Sequence, residues 1–283
     1  MTQSQEDNVK IKRVIESNQP FFIGRIAGIE LKVAYEVENH IRSSISIQDR
    51  FELENNAGIH VTSEESLRDY AKQLLSSYDH CTMIAEWETT GKVFTLTGTG
   101  QQFISTRTPT IPKIDALALE PYYYQDSWMN SVTGKRILIV HPFVQTIEKQ
   151  IKQLPLLFPG RSWFSNCTFE CVSPPVTLAG NHQGMDWREH YLEFKEKLAA
   201  IGEFDIALVA AGGYGMLVSD FIFTHMKKSV IYVGGALQLF FGIIGKRWFD
   251  NKRIMELVND DWVRPHMSEK PSNCVRVEKG CYW

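Results

Sequence analysis

Asp205-Ile-Ala-Leu-Val-Ala-Ala-Gly-Gly-Tyr-Gly215 is an apolar run that ends in a cluster of glycines. A strand with one wet face would carry a polar residue at every second position, so the unbroken run describes a strand covered on both faces. The glycines that follow allow a tight turn into a helix, expected over 215–226. The same grammar recurs along the chain. Arg136-Ile-Leu-Ile-Val140 is a strand that leads through His141-Pro-Phe143 into a helix over 144–154, and Ser229 to Val233 is a strand that leads through Gly234-Gly235 into an apolar helix. Thr168 to Val172, Phe21-Phe-Ile23 (closed by Gly24) and Met83 to Trp87 read as further strands. A helix over 29–41 is carried by Leu31, Ala34, Val37 and Ile41. Thr62-Ser-Glu-Glu65 reads as a capping box ahead of Leu67, Tyr70, Ala71, Leu74 and Leu75. Asp186-Trp-Arg-Glu189 opens another helix, with Tyr191, Phe194 and Leu198 on its apolar face. Buried strands alternating with helices predict an α/β fold, a Rossmann-like, largely parallel sheet with helices on both faces.

The remaining segments carry weaker signals. Residues 1–15 read as a flexible lead-in, and 109–135 as a long connection holding Glu120-Pro-Tyr-Tyr-Tyr124. Val93, Thr95 and Thr97 suit a strand in an otherwise Thr-, Gly- and Pro-rich stretch. Residues 259–283 end in Cys-Tyr-Trp, aromatics that a solvated tail would not need, so this segment is expected to fold back across a single domain spanning 1–283.

Composition narrows the function. With 283 residues, 43% of them hydrophobic and 22% charged, the chain can bury a large core, which excludes global disorder. Lys+Arg number 30 against 33 Asp+Glu, a net charge of −3, so there is no general positive field for a nucleic-acid backbone. The most apolar stretch, Val230 to Ile244, is interrupted by Gln238 and three glycines and followed by Lys246-Arg247, a poor fit to a membrane span. The polar residues 1–10 lack the apolar core of a signal peptide. Five cysteines without a CxxC pair point to reduced thiols and a cytoplasmic setting.

In parallel sheets, ligands bind beyond the carboxyl ends of the strands. That rule selects Gly24-Arg25 to Glu30, His141 to Phe143, Ala211 to Gly215 and Gly234 to Gln238. Gly212, Gly213, Tyr214 and Gly215 sit where a phosphate loop would, although they spell neither G-x-G-x-x-G nor a Walker A motif. Gly234 and Gly235 form a second such turn, and Gln238 offers an amide to a base or sugar. Both turns also read simply as tight strand-to-helix connections. Arg25 suits a diphosphate, and Glu30 a metal, a ribose or an acceptor hydroxyl. The plainer alternative is a helix-start acid with Arg25 as its ion-pair partner.

The run Phe22-Ile-Gly-Arg-Ile-Ala-Gly-Ile-Glu30 resembles the N-terminal signature of GT-D-type glycosyltransferases, Arg-Phe-Gly-Asp-Gly-Glu. Arg25 and Glu30 match its first and last residues. Gly28 stands at the Asp position, so of the carboxylate pair only Glu30 remains for a divalent cation, Mn2+ or Mg2+. Asn55-Asn-Ala-Gly58, Gly134 to Phe143, Asp205 to Gly215, Gly234 to Trp248, Trp262-Val-Arg-Pro265 and Gly280-Cys-Tyr-Trp283 are similar to a branch of that fold found in polysaccharide-synthesis settings. The resemblance implies transfer of a sugar from a nucleoside-diphosphate sugar, UDP-linked xylose or a hexose among the candidates, to a glycan acceptor, with inversion. The alternatives are a nucleotide- or glycan-binding protein of the same fold without catalysis and, less well matched, an α/β methyltransferase.

Such a transfer needs cations or N–H groups for the leaving diphosphate and a base for the acceptor hydroxyl. Gly24 and Arg25 are the expected donor-site residues beside the two glycine turns, with Lys246 and Arg247 as second choices that equally suit the favourable end of a helix. Glu30 leads as base, with Glu120 and His141 behind it. Asn56 and its neighbour Asn55 suit sugar hydroxyls or a turn before Gly58. Tyr122, Tyr123, Trp248 and Trp262 suit stacking on a ring or core packing.

Overall fold

Residues alternate between two apolar layers along each strand. Phe22 packs to one side of the sheet and Ile23 to the other, as do Leu138 and Val140 against Ile137 and Ile139. The computed structural model describes residues 1–41, 45–86 and 99–283. In it the strands are β1 (Phe22–Arg25), β2 (Met83–Glu86), β3 (Lys113–Asp115), β4 (Arg136–Val140), β5 (Thr168–Val172), β6 (Ile206–Val209) and β7 (Ser229–Tyr232). They form one seven-stranded sheet in the order β3-β2-β1-β7-β6-β4-β5, and every pair is parallel. The fold is therefore α/β with a Rossmann-like, all-parallel sheet. Trp87 and the strand expected through Val93, Thr95 and Thr97 lie outside the described residues.

The α-helices are α1 (Gln3–Glu16), α2 (Gly28–Glu38), α3 (Ile47–Asn55), α4 (Glu64–Asp79), α5 (Thr99–Arg107), α6 (Val144–Gln150), α7 (Leu154–Leu157), α8 (Trp187–Ala199), α9 (Gly215–Thr224) and α10 (Lys252–Met255). One apolar layer combines α2, α4, α8 and α9 with Phe22, Ile84, Val209 and Val230. The other combines α1, the 3₁₀ segments around 116–132 and 234–241, and the aromatics Trp262 and Trp283 with Ile23, Ile139 and Ile231. No helix among the described residues is long and apolar enough to cross a membrane. All five cysteines are unpaired.

Several local expectations change. Residues 3–16 form a helix rather than a flexible lead-in. Thr2 caps it, Ile11 and Ile15 enter the core, the Asp7 carboxylate accepts the Asp115 amide at 2.8 Å, and Asn8 bonds both the Asp126 carbonyl and the Trp128 amide. The connection over 109–135 contains the edge strand β3 and three short 3₁₀ turns. The apolar segment after Gly235 winds as a 3₁₀ helix from Gly234 to Phe241, between glycines at φ +74° and +61°. The cap of α4 is Ser63, which accepts the Ser66 amide at 3.1 Å.

Thr62 is instead drawn to Asp186, and this carboxylate ties two helices together. It accepts the Thr62 amide and hydroxyl, the Ser66 hydroxyl at 2.5 Å, and the Arg188 amide and Nε. Burial opposes the charge, but these donors outweigh it and hold the Asp186 carboxyl well below its ordinary 3.8. A depressed folded-state pKa contributes stability that is complete above 3.8 and lost as the pH falls from there through the folded value. Asp186→Asn should cost about 2 kcal/mol at neutral pH. Urea unfolding below pH 4 should show a shallower acid loss for this variant than for the parent.

Candidate functional site

The carboxyl ends of β1, β7, β6 and β4 are adjacent in the sheet, and a cleft of about 410 Å³ opens above them. All four segments selected from the sequence reach its wall, through Arg25 to Glu30, His141 to Phe143, Gly212, and Gly234, Gly235 and Gln238. Asn56 and Arg247 complete the expected residues that line it. Glu52, Tyr232, Glu278, Tyr282 and Trp283 line it as well. Of these, Tyr232 ends a strand, the same signal that located Gly234. Glu52 sits on α3, whose polar sequence carries no helical stripe.

Arg25 ends β1 and reaches across to β7, where its Nη1 donates to the Val233 carbonyl at 3.2 Å. Gly234 makes this crossing possible. Its φ is +74°, and a Cβ there would stand 2.0 Å from Arg25 Nη1. Gly235 is constrained in the same way from the other side, since a Cβ would lie 2.4 Å from the Tyr282 ring. The second glycine turn therefore serves close packing of two cleft-lining side chains.

Helix α2 starts at the cleft with Ala27 at its N-cap position, which offers no side-chain cap. Glu30 lies in the first turn, 7% exposed, with its carboxylate beside its own backbone N–H. Burial raises its pKa above 4.5. Its own amide and the Arg25 charge pull it back, and the like charge of Glu278 adds to the rise. A carboxyl so placed holds its proton more tightly than a surface glutamate, as a general base for a hydroxyl requires.

His141 also lines the cleft, but burial pushes its pKa down to about 3. Its Nδ1 accepts the Phe143 amide at 2.9 Å, which leaves the proton on Nε2. The expected place of His141 behind Glu30 as a base, which needs a ring that titrates near neutrality, is thus corrected. The ring is a fixed, neutral hydrogen-bond donor.

The turn at 212–215 differs from a phosphate loop. The Gly213 amide donates to the Ala57 carbonyl at 2.8 Å, the Tyr214 amide to Ala211, and the Gly215 amide to Gly212. Three N–H groups expected to face an anion are engaged within the protein, and only Gly212 lines the cleft. Tyr214 is fully buried, and a Cβ on Gly215 would strike the Tyr232 ring at 2.2 Å. Gly24 is likewise a packing glycine, closed in by Cys81 and Met216. Gln238 lines the cleft, but its Nε2 donates to the Ile243 and Tyr282 carbonyls, so that amide secures the loop rather than a base or sugar.

Glu120 stands behind the wall and does not line it. The Tyr122 hydroxyl donates to its carboxylate. Burial raises its pKa against that bond and the fields of Arg25 and Arg247. Tyr122 packs edge-on to Phe240, and Arg253 covers Tyr123, so neither stacks in the cleft. Trp248 and Trp262 are core residues, Asn55 is buried, and Lys246 is exposed away from the wall.

The far wall comes from the C-terminal segment, through Glu278, Tyr282 and Trp283. Arg247 donates through Nη1 to the Tyr282 hydroxyl at 2.9 Å and pairs through Nη2 with Glu278 at 3.2 Å. Two guanidinium groups, the start of α2, a neutral imidazole donor and the Glu30 carboxyl, its pKa raised by burial, thus face one cavity. This constellation suits a dianionic ligand beside a hydroxyl that loses a proton.

One group of three metal-type ligands occurs among the described residues, Glu54, His60 and His182. The two imidazoles are stacked, with centroids 3.6 Å apart and planes within 10°. A ligating imidazole holds its ion close to the ring plane, and two parallel planes do not converge on one ion. His182 Nδ1 also accepts the Gly184 amide, which leaves Nε2 as donor to Glu54. The trio is a hydrogen-bonded clamp, one carboxylate oxygen to each ring.

No family model, curated protein or solved structure matches the chain.

Proposed function

We propose that this protein is a glycosyltransferase that transfers a sugar from a nucleoside-diphosphate sugar, a UDP-sugar in the first instance, to a glycan hydroxyl. The observation that carries this reading is the convergence of Arg25, Arg247 and Glu30 on one cleft at the carboxyl ends of four adjacent parallel strands. It also keeps the two residues that resemble the GT-D signature at the cleft wall. In this reading Arg25 and Arg247 hold the diphosphate oxygens and offset the charge that grows as the sugar departs. Glu30 takes the proton from the acceptor hydroxyl, and inversion follows from attack opposite the leaving group. His141 Nε2–H orients a sugar or phosphate oxygen. Of the signature's carboxylate pair the cleft retains Glu30 alone, so the arginines meet most of the diphosphate charge, and any Mn2+ or Mg2+ would rest on Glu30.

Titration with UDP, GDP and CMP, with and without Mn2+, tests the donor site, and a screen of UDP-sugars for hydrolysis tests turnover. A binding protein without catalysis would hold UDP and never turn a UDP-sugar over. Glu30→Gln should lower the transfer rate by about a thousandfold, while UDP affinity changes severalfold at most. Because a base works when deprotonated, the parent's rate should rise with pH through a value above 4.5, a limb that the variant lacks.

A further inference from the structure

Glu278 enters the cleft as a carboxylate on one of its two arginines. Its Oε2 lies 3.2 Å from Arg247 Nη2 and accepts the Cys281 thiol at 3.3 Å. The backbone that delivers it is unusual. Glu278, Lys279 and Gly280 have φ of 43°, 61° and 78°, three successive residues in the left-handed region, which the first two, as non-glycine residues, rarely adopt. A strained turn at a cleft wall is a reason to look for function. The strain here places an anion on a cation. The pair is 42% and 47% exposed, so a ligand entering the cleft can reach both partners. Arg247 keeps its bond to the Tyr282 hydroxyl and its position over that ring whether or not Glu278 stays.

We propose that Glu278 sets the affinity and specificity of the cleft for diphosphates by occupying Arg247 in the empty site and yielding it to the incoming anion. This inference rests on the reading of the cleft as a diphosphate site. The ligand exchanges one carboxylate for two phosphoryl groups on the same guanidinium, which a monoanion cannot match. The displaced Glu278 then adds a like charge near the ligand, and that hastens product release. Both consequences make binding weaker than two arginines alone would give, so removal of the carboxylate charge should strengthen it.

The test is calorimetric titration of the full chain and of Glu278→Gln with inorganic pyrophosphate and with UDP. About fivefold tighter binding of both ligands to the variant is expected. In an Arg247→Gln background, the same change at 278 should gain less than twofold. Unchanged or weaker binding of pyrophosphate to Glu278→Gln would overturn the proposal, and so would an equal gain in both backgrounds. Thermal unfolding of each variant separates loss of fold from loss of site. If UDP fails to bind either protein while pyrophosphate tightens on the variant, the role of Glu278 stands and the nucleotide reading falls.

Discussion

Arg25→Ala is expected to weaken UDP binding by about 100-fold, with little change in thermal midpoint. Arg25 is held in place by its own backbone at the end of β1 and by the Val233 carbonyl just after β7. A guanidinium held in this way pays little of the ordering cost that a surface side chain pays on binding, and its bonds to phosphate oxygens are charge-assisted. Truncation removes those bonds and leaves the diphosphate charge to Arg247 and the α2 start. Loss of a charged partner in such a site costs about 3 kcal/mol, or two orders of magnitude in affinity. Arg25→Lys should recover only part of this, because an ammonium cannot donate to Val233 and to phosphate in the same fork. Equal UDP affinity in the parent and Arg25→Ala would remove Arg25 from the donor site.

The second large effect is at Gly234. Gly234→Ala places a methyl group 2.0 Å from Arg25 Nη1 and puts an L side chain at φ +74°. The conformational penalty is about 1 kcal/mol. The clash is relieved when the flexible end of Arg25 leaves its bond to Val233, so the main casualty is the site rather than the fold. UDP affinity should fall about as far as in Arg25→Ala, with a fall in stability of 1 to 2 kcal/mol, both as rough magnitudes. Gly134→Ala is the control. Its φ is +75° and a Cβ there meets nothing within 4 Å, so it carries the same strain with no effect on Arg25. Comparable stability loss in both variants, with UDP binding lost in Gly234→Ala alone, would separate strain from displacement. Full binding by Gly234→Ala would contradict the seat assigned to Arg25.

These two residues also mark what the sequence made legible. Strands β4, β6 and β7 announce themselves because both faces are covered and, beyond Arg136 and Ser229 at the starts of β4 and β7, no charged or small polar residue interrupts them. The strand-end rule then finds Arg25, His141, Gly212 and Gly234 without any knowledge of their contacts. Strand β3 escapes because three residues, one of them lysine and one aspartate, carry no pattern at that length. Helix α1 escapes because its anchors are Asp7 and Asn8, polar residues whose partners, the Asp115 amide, the Asp126 carbonyl and the Trp128 amide, lie more than a hundred positions away. The glycine turn at 212–215 misleads for a related reason. Its residue types suit an anion, and only the fold shows that Ala57 accepts the Gly213 amide. His141 follows the same logic. Its identity predicts a titrating group, whereas burial and the Phe143 amide make it a neutral donor. Glu278 and Tyr282 enter the cleft through a turn whose left-handed backbone at two non-glycine residues no local propensity signals.

The central claim is that the cleft above β1, β7, β6 and β4 holds a nucleoside diphosphate on Arg25 and Arg247. Calorimetric titration of the full chain with UDP tests it most directly, with GDP and CMP as comparisons and each run repeated with Mn2+. The account predicts saturable one-to-one binding of UDP that does not require Mn2+, is tighter than that of CMP and is lost in Arg25→Ala. Absence of binding by any of the three nucleotides, with or without the metal, would contradict it.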